Sequence, residues 1–143
     1  MVRNEYTFRV SYSDTDKMQV LHHSNYARYC ENARWELFRE MGTPYDEIEA
    51  KGYMLPVFTM NSTFAAPAKY DEKIRIITSM DNCKGVRIGL CCRFYNMNNI
   101  MINETEIMLA CVDRETFKPC PLPGFILDAV KNHELKQSLE GNY

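Results

Sequence analysis

The apolar side chains have two different spacings in two long stretches of this chain, and that difference constrains the fold more than any other feature. Between Ser24 and Met41 they recur three and four positions apart, which is the spacing of a buried stripe on a helix. From Pro56 to about Val112 they alternate with polar side chains, as in strands that bury one face. A long helix followed by a run of strands predicts an α+β domain.

Four strands are predicted after Pro56, and one more precedes the long helix. The first strand runs through Tyr6, Phe8 and Val10 and ends at Tyr12. The later strands are expected at about 58–64, 74–78, 86–94 and 100–112, with turn-forming residues between them. Because these connections are short, we expect the four later strands to form a long antiparallel meander.

Capping residues indicate where the helices begin and end. Ser24 is expected to cap the long helix, and Gly42 is expected to end it. Thr43 and Pro44 begin a short second helix, and a terminal helix is expected over about 125–139. The sheet can then wrap around the long helix.

The long helix also carries apolar residues outside its main stripe, namely Ala27, Trp35 and Phe38. It therefore needs apolar cover on a second side, from the sheet or from a partner subunit. A sheet of this kind has exposed edges, and pairing with a second copy covers an edge most simply. We therefore expect a homodimer.

The bulk composition fits one domain spanning residues 1–143, since 45% of the residues are hydrophobic. With 17 basic residues, 19 acidic residues and no Lys/Arg-rich stretch, we expect no nucleic-acid partner. No run approaches the roughly 20 apolar residues that cross a bilayer, so no membrane association is expected. Six cysteines without a CxxC pair are read as free, buried thiols, and we expect a cytoplasmic protein.

Chemistry is expected in the twenty residues from Tyr12 to Glu31. Asp14 and Asp16 lie in the connection after the first strand, and His22 and His23 come just before the long helix. A carboxylate and an imidazole beside the positive end of a helix can activate water and stabilise an oxyanion. This pattern favours a hydrolase.

Asp16 is the preferred catalytic carboxylate, because it lies deeper in the connection than Asp14. It would act as a general base toward water or as a nucleophile that forms a mixed anhydride, and the sequence leaves both routes open. The competing interpretation is turn chemistry, in which an aspartate accepts hydrogen bonds from nearby backbone amides. Asp14 fits that second role better than Asp16.

Two further side chains are candidates for supporting roles. His23 would position the water or the carboxylate, or donate to the carbonyl oxygen; its alternative is a structural residue flanking the helix. Tyr12 would bring its hydroxyl toward the same place, and it also fits the role of a core aromatic.

A metal site built from the two aspartates and the histidine pair is not favoured, since no HxxxH or HExxH spacing places two imidazoles on one helix face. We expect neither a metal nor another cofactor. The sequence also lacks GxSxG, GxGxxG and phosphate-loop patterns, which argues against elbow-type serine hydrolases, dinucleotide enzymes and common nucleotide hydrolases.

Three segments carry a resemblance to a known family. The most specific is YSDTDKMQVLHHSNYARYCENAR at residues 12–34, and the supporting segments are LPVFTMNSTFAAPAKYDEKIRI and CVDRETFKPCPLP. Together they resemble the hotdog-fold acyl-CoA thioesterases of the 4-hydroxybenzoyl-CoA thioesterase-like family. The resemblance covers nearly the whole chain.

The resemblance implies a hotdog fold, in which a five-stranded antiparallel sheet wraps around a long central helix. It implies a homodimer whose sheets join edge to edge, often a homotetramer made from two dimers, with active sites between subunits. The implied reaction is hydrolysis of an acyl thioester of coenzyme A or of acyl carrier protein to a free carboxylic acid and a thiol.

The resemblance also implies roles for individual residues. Asp16 matches the catalytic carboxylate, and His23 and Tyr12 match the supporting histidine and tyrosine. A backbone amide near the helix start polarises the thioester carbonyl in such enzymes, which makes the amides of Ser24, Asn25 and Tyr26 candidates here.

One position departs from the pattern, since the resembling proteins usually carry glycine where this chain has Gln19. Glycine permits a positive φ or a close approach of substrate, and glutamine permits neither cheaply. The departure keeps open a non-catalytic hotdog module that binds an acyl thioester or a partner protein. The other interpretation is that the glutamine side chain points into solvent without consequence.

Overall fold

The structure is a computed structural model that describes residues 1–141. Its main strands are Val2–Arg9 (β1), Val57–Phe64 (β3), Lys73–Lys84 (β4), Arg87–Tyr95 (β5) and Met101–Ala110 (β6). A separate two-stranded pair consists of Tyr53–Met54 (β2) and Val112–Asp113 (β7). The helices are Tyr26–Glu40 (α1), Tyr45–Ala50 (α2) and Gly124–Glu140 (α3).

The five main strands form one antiparallel sheet in the order β1-β4-β5-β6-β3. The predicted meander is correct for β4, β5 and β6 but wrong for β3, which pairs with β6 at the far edge. The connection 65–72 is not a hairpin turn, because it is tied to the loop after β1: Leu21 N donates to Ala68 O and Val10 N donates to Glu72 O. Alternating side chains identify strands, but they do not specify which strands pair.

Helix α1 lies across one face of the sheet and packs against β1 and β4. Its fully buried residues include Cys30, Ala33 and Leu37, and the Tyr29 ring stacks on Phe8 with centroids 3.7 Å apart. Fully burying a side chain such as Leu37 contributes about 1.5–3 kcal/mol to folding. The predicted α+β hotdog architecture, a five-stranded sheet around a long helix, is thereby confirmed.

The second apolar side of α1 is covered partly within the same chain. Phe38 is fully buried and meets Tyr45 of α2 with ring centroids 5.1 Å apart. Trp35 stays half-buried and Ala27 is exposed, so this side is not fully enclosed.

None of the helices within residues 1–141 combines the length and apolar character needed to span a membrane.

Candidate active site

The loop between β1 and α1 is built from two short turns and a small hairpin. Strand β1 ends at Arg9, three residues before the predicted end, and residues 12–14 form a single 3-10 turn. Thr15 then pairs with Leu21, and Val20 pairs with Lys69 in the connection after β3. The hairpin therefore projects the residues between Thr15 and Leu21 next to that connection.

Asp14 ties this loop to the first turns of α1. Its Oδ2 accepts hydrogen bonds from Arg28 at 2.6 Å and from the Tyr29 hydroxyl at 2.5 Å. Its backbone oxygen accepts from His22 N and from the side-chain amide of Asn25, each at 2.9 Å. Burial alone would raise the pKa of Asp14, but the hydrogen bonds from Tyr29 and Arg28 outweigh burial and lower it.

Asp16 is oriented by its own turn. Its Oδ1 accepts a hydrogen bond from Met18 N at 2.8 Å, while no residue among 1–141 bonds its second oxygen. The expectation that Asp14 suits turn chemistry better is therefore wrong, because it is the Asp16 carboxylate that binds a nearby backbone amide and Asp14 binds side chains. One oxygen held and one oxygen free is an arrangement that suits a general base or a nucleophile.

Ser24 does not cap α1 as predicted, because residues 23–25 form a 3-10 turn ahead of the helix. The His22 ring accepts from Ser24 N at 3.2 Å, Asn25 N donates to His22 O, and Tyr26 N donates to His23 O. The three amides expected to polarise a carbonyl, those of Ser24, Asn25 and Tyr26, are thus already paired. The amide that has no partner within residues 1–141 is His23 N, one position earlier than predicted.

Asp16 and His23 line the same open groove, whose volume is about 360 Å³. The remaining wall is apolar and consists of Met18, Val20, Leu21, Tyr26, Phe64, Ala65, Ala66 and Pro67. His23 is exposed, and its ring meets that of Phe64 edge-on with centroids 6.3 Å apart. The groove can therefore hold an apolar group beside a carboxylate and an imidazole.

Tyr12 lies outside this groove. It is 75% exposed and rests against the ring of Tyr70, with centroids 5.6 Å apart. Its predicted place at the end of the first strand is wrong, because the chain leaves the sheet at Arg9. The core position considered for Tyr12 is wrong as well, since its side chain faces solvent. Its supporting role stays a prediction.

The side chain of Tyr26 is a groove residue that the sequence reasoning missed, since only its amide was considered. Tyr26 is 4% exposed, and its ring packs edge-on against Phe64 and Phe94. Its hydroxyl has no hydrogen-bond partner among the described residues, and burial raises the pKa of Tyr26 to about 12. The phenol is therefore a protonated, uncommitted donor in the groove wall. The signal was its place on the buried stripe, directly after the histidine pair.

Gln19 adopts the backbone conformation for which glycine is suited, with φ of +63°. Its amide closes the turn by donating to Asp16 O at 2.9 Å, and its carbonyl accepts from Tyr70 N at 3.2 Å. The side chain is exposed. The loop thus keeps its shape with glutamine at the cost of some backbone strain, of order 1 kcal/mol.

Comparison with known proteins identifies the class to which this fold belongs. The chain belongs to the Thioesterase-like superfamily, whose family model matches residues 10–130. It is 32% identical over 123 residues to the acyl-CoA thioester hydrolase YbgC of Escherichia coli O157:H7, covering 86% of this chain and 92% of that protein. These findings confirm the predicted family and the predicted acyl-CoA thioesterase function.

Solved structures support the same assignment. The DHNA-CoA thioesterase of Staphylococcus aureus superposes with a TM-score of 0.86 at 26% identity, covering 99% of this chain and 95% of that one. A 4-hydroxybenzoyl CoA thioesterase complexed with 4-hydroxybenzoyl CoA superposes with a TM-score of 0.82 at 14% identity, covering 90% and 99% of the two chains. At that identity, the second likeness concerns the fold alone.

The strain at Gln19 gives a stability prediction. Gln19→Gly should leave the melting temperature unchanged or raise it slightly, because relief of about 1 kcal/mol of strain is offset by the greater entropy of the unfolded chain. Gln19→Val should lower it, because a β-branched residue tolerates positive φ poorly. Lys17→Gly, an exposed neighbour with an ordinary φ, is the control and should not stabilise. A higher melting temperature for valine than for glycine would contradict this account.

Proposed function

We propose that this groove hydrolyses the thioester of an acyl-CoA, with Asp16 as the reacting carboxylate. The observation that carries the proposal is the pairing of a carboxylate that has one oxygen held by Met18 N with the unpaired amide of His23 on the same groove. A base and an oxyanion donor are the two parts that acyl transfer needs. Because the rest of the lining is apolar, the groove suits a hydrocarbon or aryl acyl group.

The reaction is assigned as follows. The free Asp16 oxygen takes a proton from water as the water oxygen bonds to the thioester carbon, and the carbonyl oxygen becomes an oxyanion. His23 N donates to that oxygen, and the His23 ring positions the water or the leaving group. Collapse of the intermediate breaks the carbon–sulfur bond, and the proton held by Asp16 passes to the thiolate. Direct attack by Asp16 through a mixed anhydride is the alternative route to the same products.

Replacing the carboxylate tests this assignment. Asp16→Asn should lower kcat by about 10²–10⁴-fold, because general-base catalysis contributes an effect of that size. The fold should persist, since an asparagine oxygen can still accept from Met18 N. The measurement is thiol release from a panel of CoA thioesters, with the matching carrier-protein thioesters alongside.

The matched control is Asp113→Asn. Asp113 also accepts backbone amides, those of Glu115 and Thr116, in a turn outside the groove, so its substitution should leave kcat unchanged. Turnover that survives in Asp16→Asn contradicts the site. Tight binding of acyl-CoA without turnover by the native chain favours the non-catalytic module instead.

The Tyr26 hydroxyl is proposed as a further donor to the bound thioester. Tyr26→Phe removes one oxygen without changing the packing of the ring, and kcat/KM should fall about tenfold, as expected for one neutral hydrogen bond. The same substitution at exposed Tyr70 should have no effect on kcat/KM. Unchanged kinetics in Tyr26→Phe would contradict the proposed hydrogen bond from Tyr26 but would not affect the proposed role of Asp16.

We further propose that the functional unit is a dimer joined along β3, with tetramers formed from two such dimers. Strand β3 is an open edge, and its apolar residues Val57, Phe58, Met60 and Phe64 are about half exposed. An unpaired apolar edge is prone to associate with another strand unless it is covered.

We also propose a reducing compartment such as the cytoplasm, because the six thiols are free.

A charge at Met60, which lies on the same face of β3 as Phe64, tests the dimer. The native chain should elute at about twice its 16.8 kDa mass or a multiple of that, and Met60→Lys should shift it toward the monomer and lower activity. Met97→Lys, at another exposed methionine in the turn after β5, should change neither mass nor activity. A native chain that remains monomeric at micromolar concentration contradicts the proposal, as does a Met60→Lys dimer of undiminished affinity.

A further inference from the structure

Two free thiols stand side by side at the base of the hairpin that contains β7. The Sγ atoms of Cys111 and Cys120 lie 3.7 Å apart, and both cysteines are free. The backbone brings them together, because Cys120 N donates to Cys111 O at 3.0 Å and the next residues inward, Val112 and Pro119, pair as a bridge. Neither thiol lines the groove that holds Asp16.

We propose that Cys111 and Cys120 form a reversible disulfide when the protein meets a peroxide, closing the hairpin 111–120 as a stabilising clasp. The proposal does not depend on the thioesterase mechanism.

The geometry requires only a small closing movement. The sulfurs must approach by somewhat less than 2 Å to reach the bond length of about 2 Å. The hairpin is held by contacts that do not involve the thiols: Asp113 Oδ1 accepts from the amides of Glu115 and Thr116, and Asp113 N donates to Lys118 O. What the bond would replace is the contact between the thiols and the weak hydrogen bond from Cys111 Sγ to Pro121 O at 3.9 Å.

Exposure sets the order of the chemical steps. Cys120 is partly exposed, whereas Cys111 is fully buried and burial raises its pKa to about 12. The Cys120 thiol loses its proton, and the thiolate attacks one peroxide oxygen. The O–O bond breaks and the leaving hydroxide takes up that proton, so a sulfenic acid and water result. The Cys111 sulfur then attacks the sulfenic sulfur, its proton leaves with the hydroxyl as a second water, and the disulfide forms. The two thiols lose two electrons, and the peroxide gains them.

The other cysteines are less suited to this reaction. Cys30, Cys91 and Cys92 are buried, so an oxidant does not reach them without unfolding. Cys83 is partly exposed, but burial raises its pKa to about 11, and no second thiol contacts it among residues 1–141. Disulfide formation should therefore be selective for one pair out of six cysteines.

The clasp should stabilise the chain without stopping catalysis. The hairpin residues Val112, Phe117 and Pro119 border a groove at the Val57 end of β3, whereas the groove of Asp16 lies at the Phe64 end. Eight residues of strand separate the two by roughly 20 Å. Closing a short loop should raise the melting temperature by about 5 °C, with little change in kcat/KM.

The test exposes the full chain to a small excess of hydrogen peroxide and counts thiols and mass in the folded state. Free thiols should fall from six to four with loss of two hydrogens, a Cys111–Cys120 peptide should appear on digestion, and a reductant should restore six. Cys83→Ser should keep this behaviour, whereas Cys120→Ser and Cys120→Ala should lose it and lose the rise in melting temperature.

The opposite results would overturn the clasp. Sulfinic or sulfonic acid at Cys120 with Cys111 still a thiol excludes the disulfide, and so does an unchanged thiol count. Loss of thioesterase activity on oxidation that Cys120→Ser prevents would contradict the claim that the clasp leaves catalysis unchanged. Each Cys120 variant is first compared with the native chain in reductant, and two variants are used so that a folding defect in one does not decide the outcome.

Discussion

The contact of the Asp14 carboxylate with Arg28 and Tyr29 is the interaction on which the site depends. It joins the loop after β1 to the first turns of α1, while the backbone oxygen of the same residue holds His22 N and the Asn25 side chain. These bonds fix both ends of the loop relative to the helix. With the turn 23–25 held in this way, its later amides are paired internally and His23 N is left over as a donor.

Two carboxylates two residues apart therefore have different surroundings. The side chain of Asp14 is 14% exposed, and its Oδ2 accepts from both Arg28 and Tyr29, which lowers its pKa. Asp16 makes one hydrogen bond to its own turn and keeps a free oxygen on the groove. Because Gln19 accepts a left-handed backbone, the Asp16 turn closes on Val20 and remains beside Lys69 and Tyr70. Gln19 therefore keeps the turn in a backbone conformation that glycine would adopt more easily.

Much of the fold could be predicted because alternation and helical spacing are local signals. The strands and α1 follow the side-chain pattern closely. The pairing of β3 with β6 depends instead on where residues 65–72 are anchored, which is a tertiary property.

At the candidate site, the segment from Asp14 to Tyr26 was identifiable from its residue types. Which amide stays free depends on a 3-10 turn at residues 23–25, whereas the sequence predicted a helix capped by Ser24. Which aspartate binds its own turn depends on the separate turn at residues 16–19. Tyr12 was misplaced because alternation does not reveal that pairing stops at Arg9.

Strand β3 borders both the groove that holds Asp16 and the open edge of the sheet. Ser62, Thr105 and Asn103 form a closed ring of hydrogen bonds there, at 2.8, 2.6 and 3.0 Å, so a polar cluster is buried between β3 and β6 with its bonds satisfied. This ring fixes the register of the edge strand, whereas Met60 and Phe64 on either side of it remain half exposed. Phe64 is at once a groove wall and a neighbour of the open edge. A second copy paired along this edge, as proposed above, would therefore lie next to the groove, since one strand borders both.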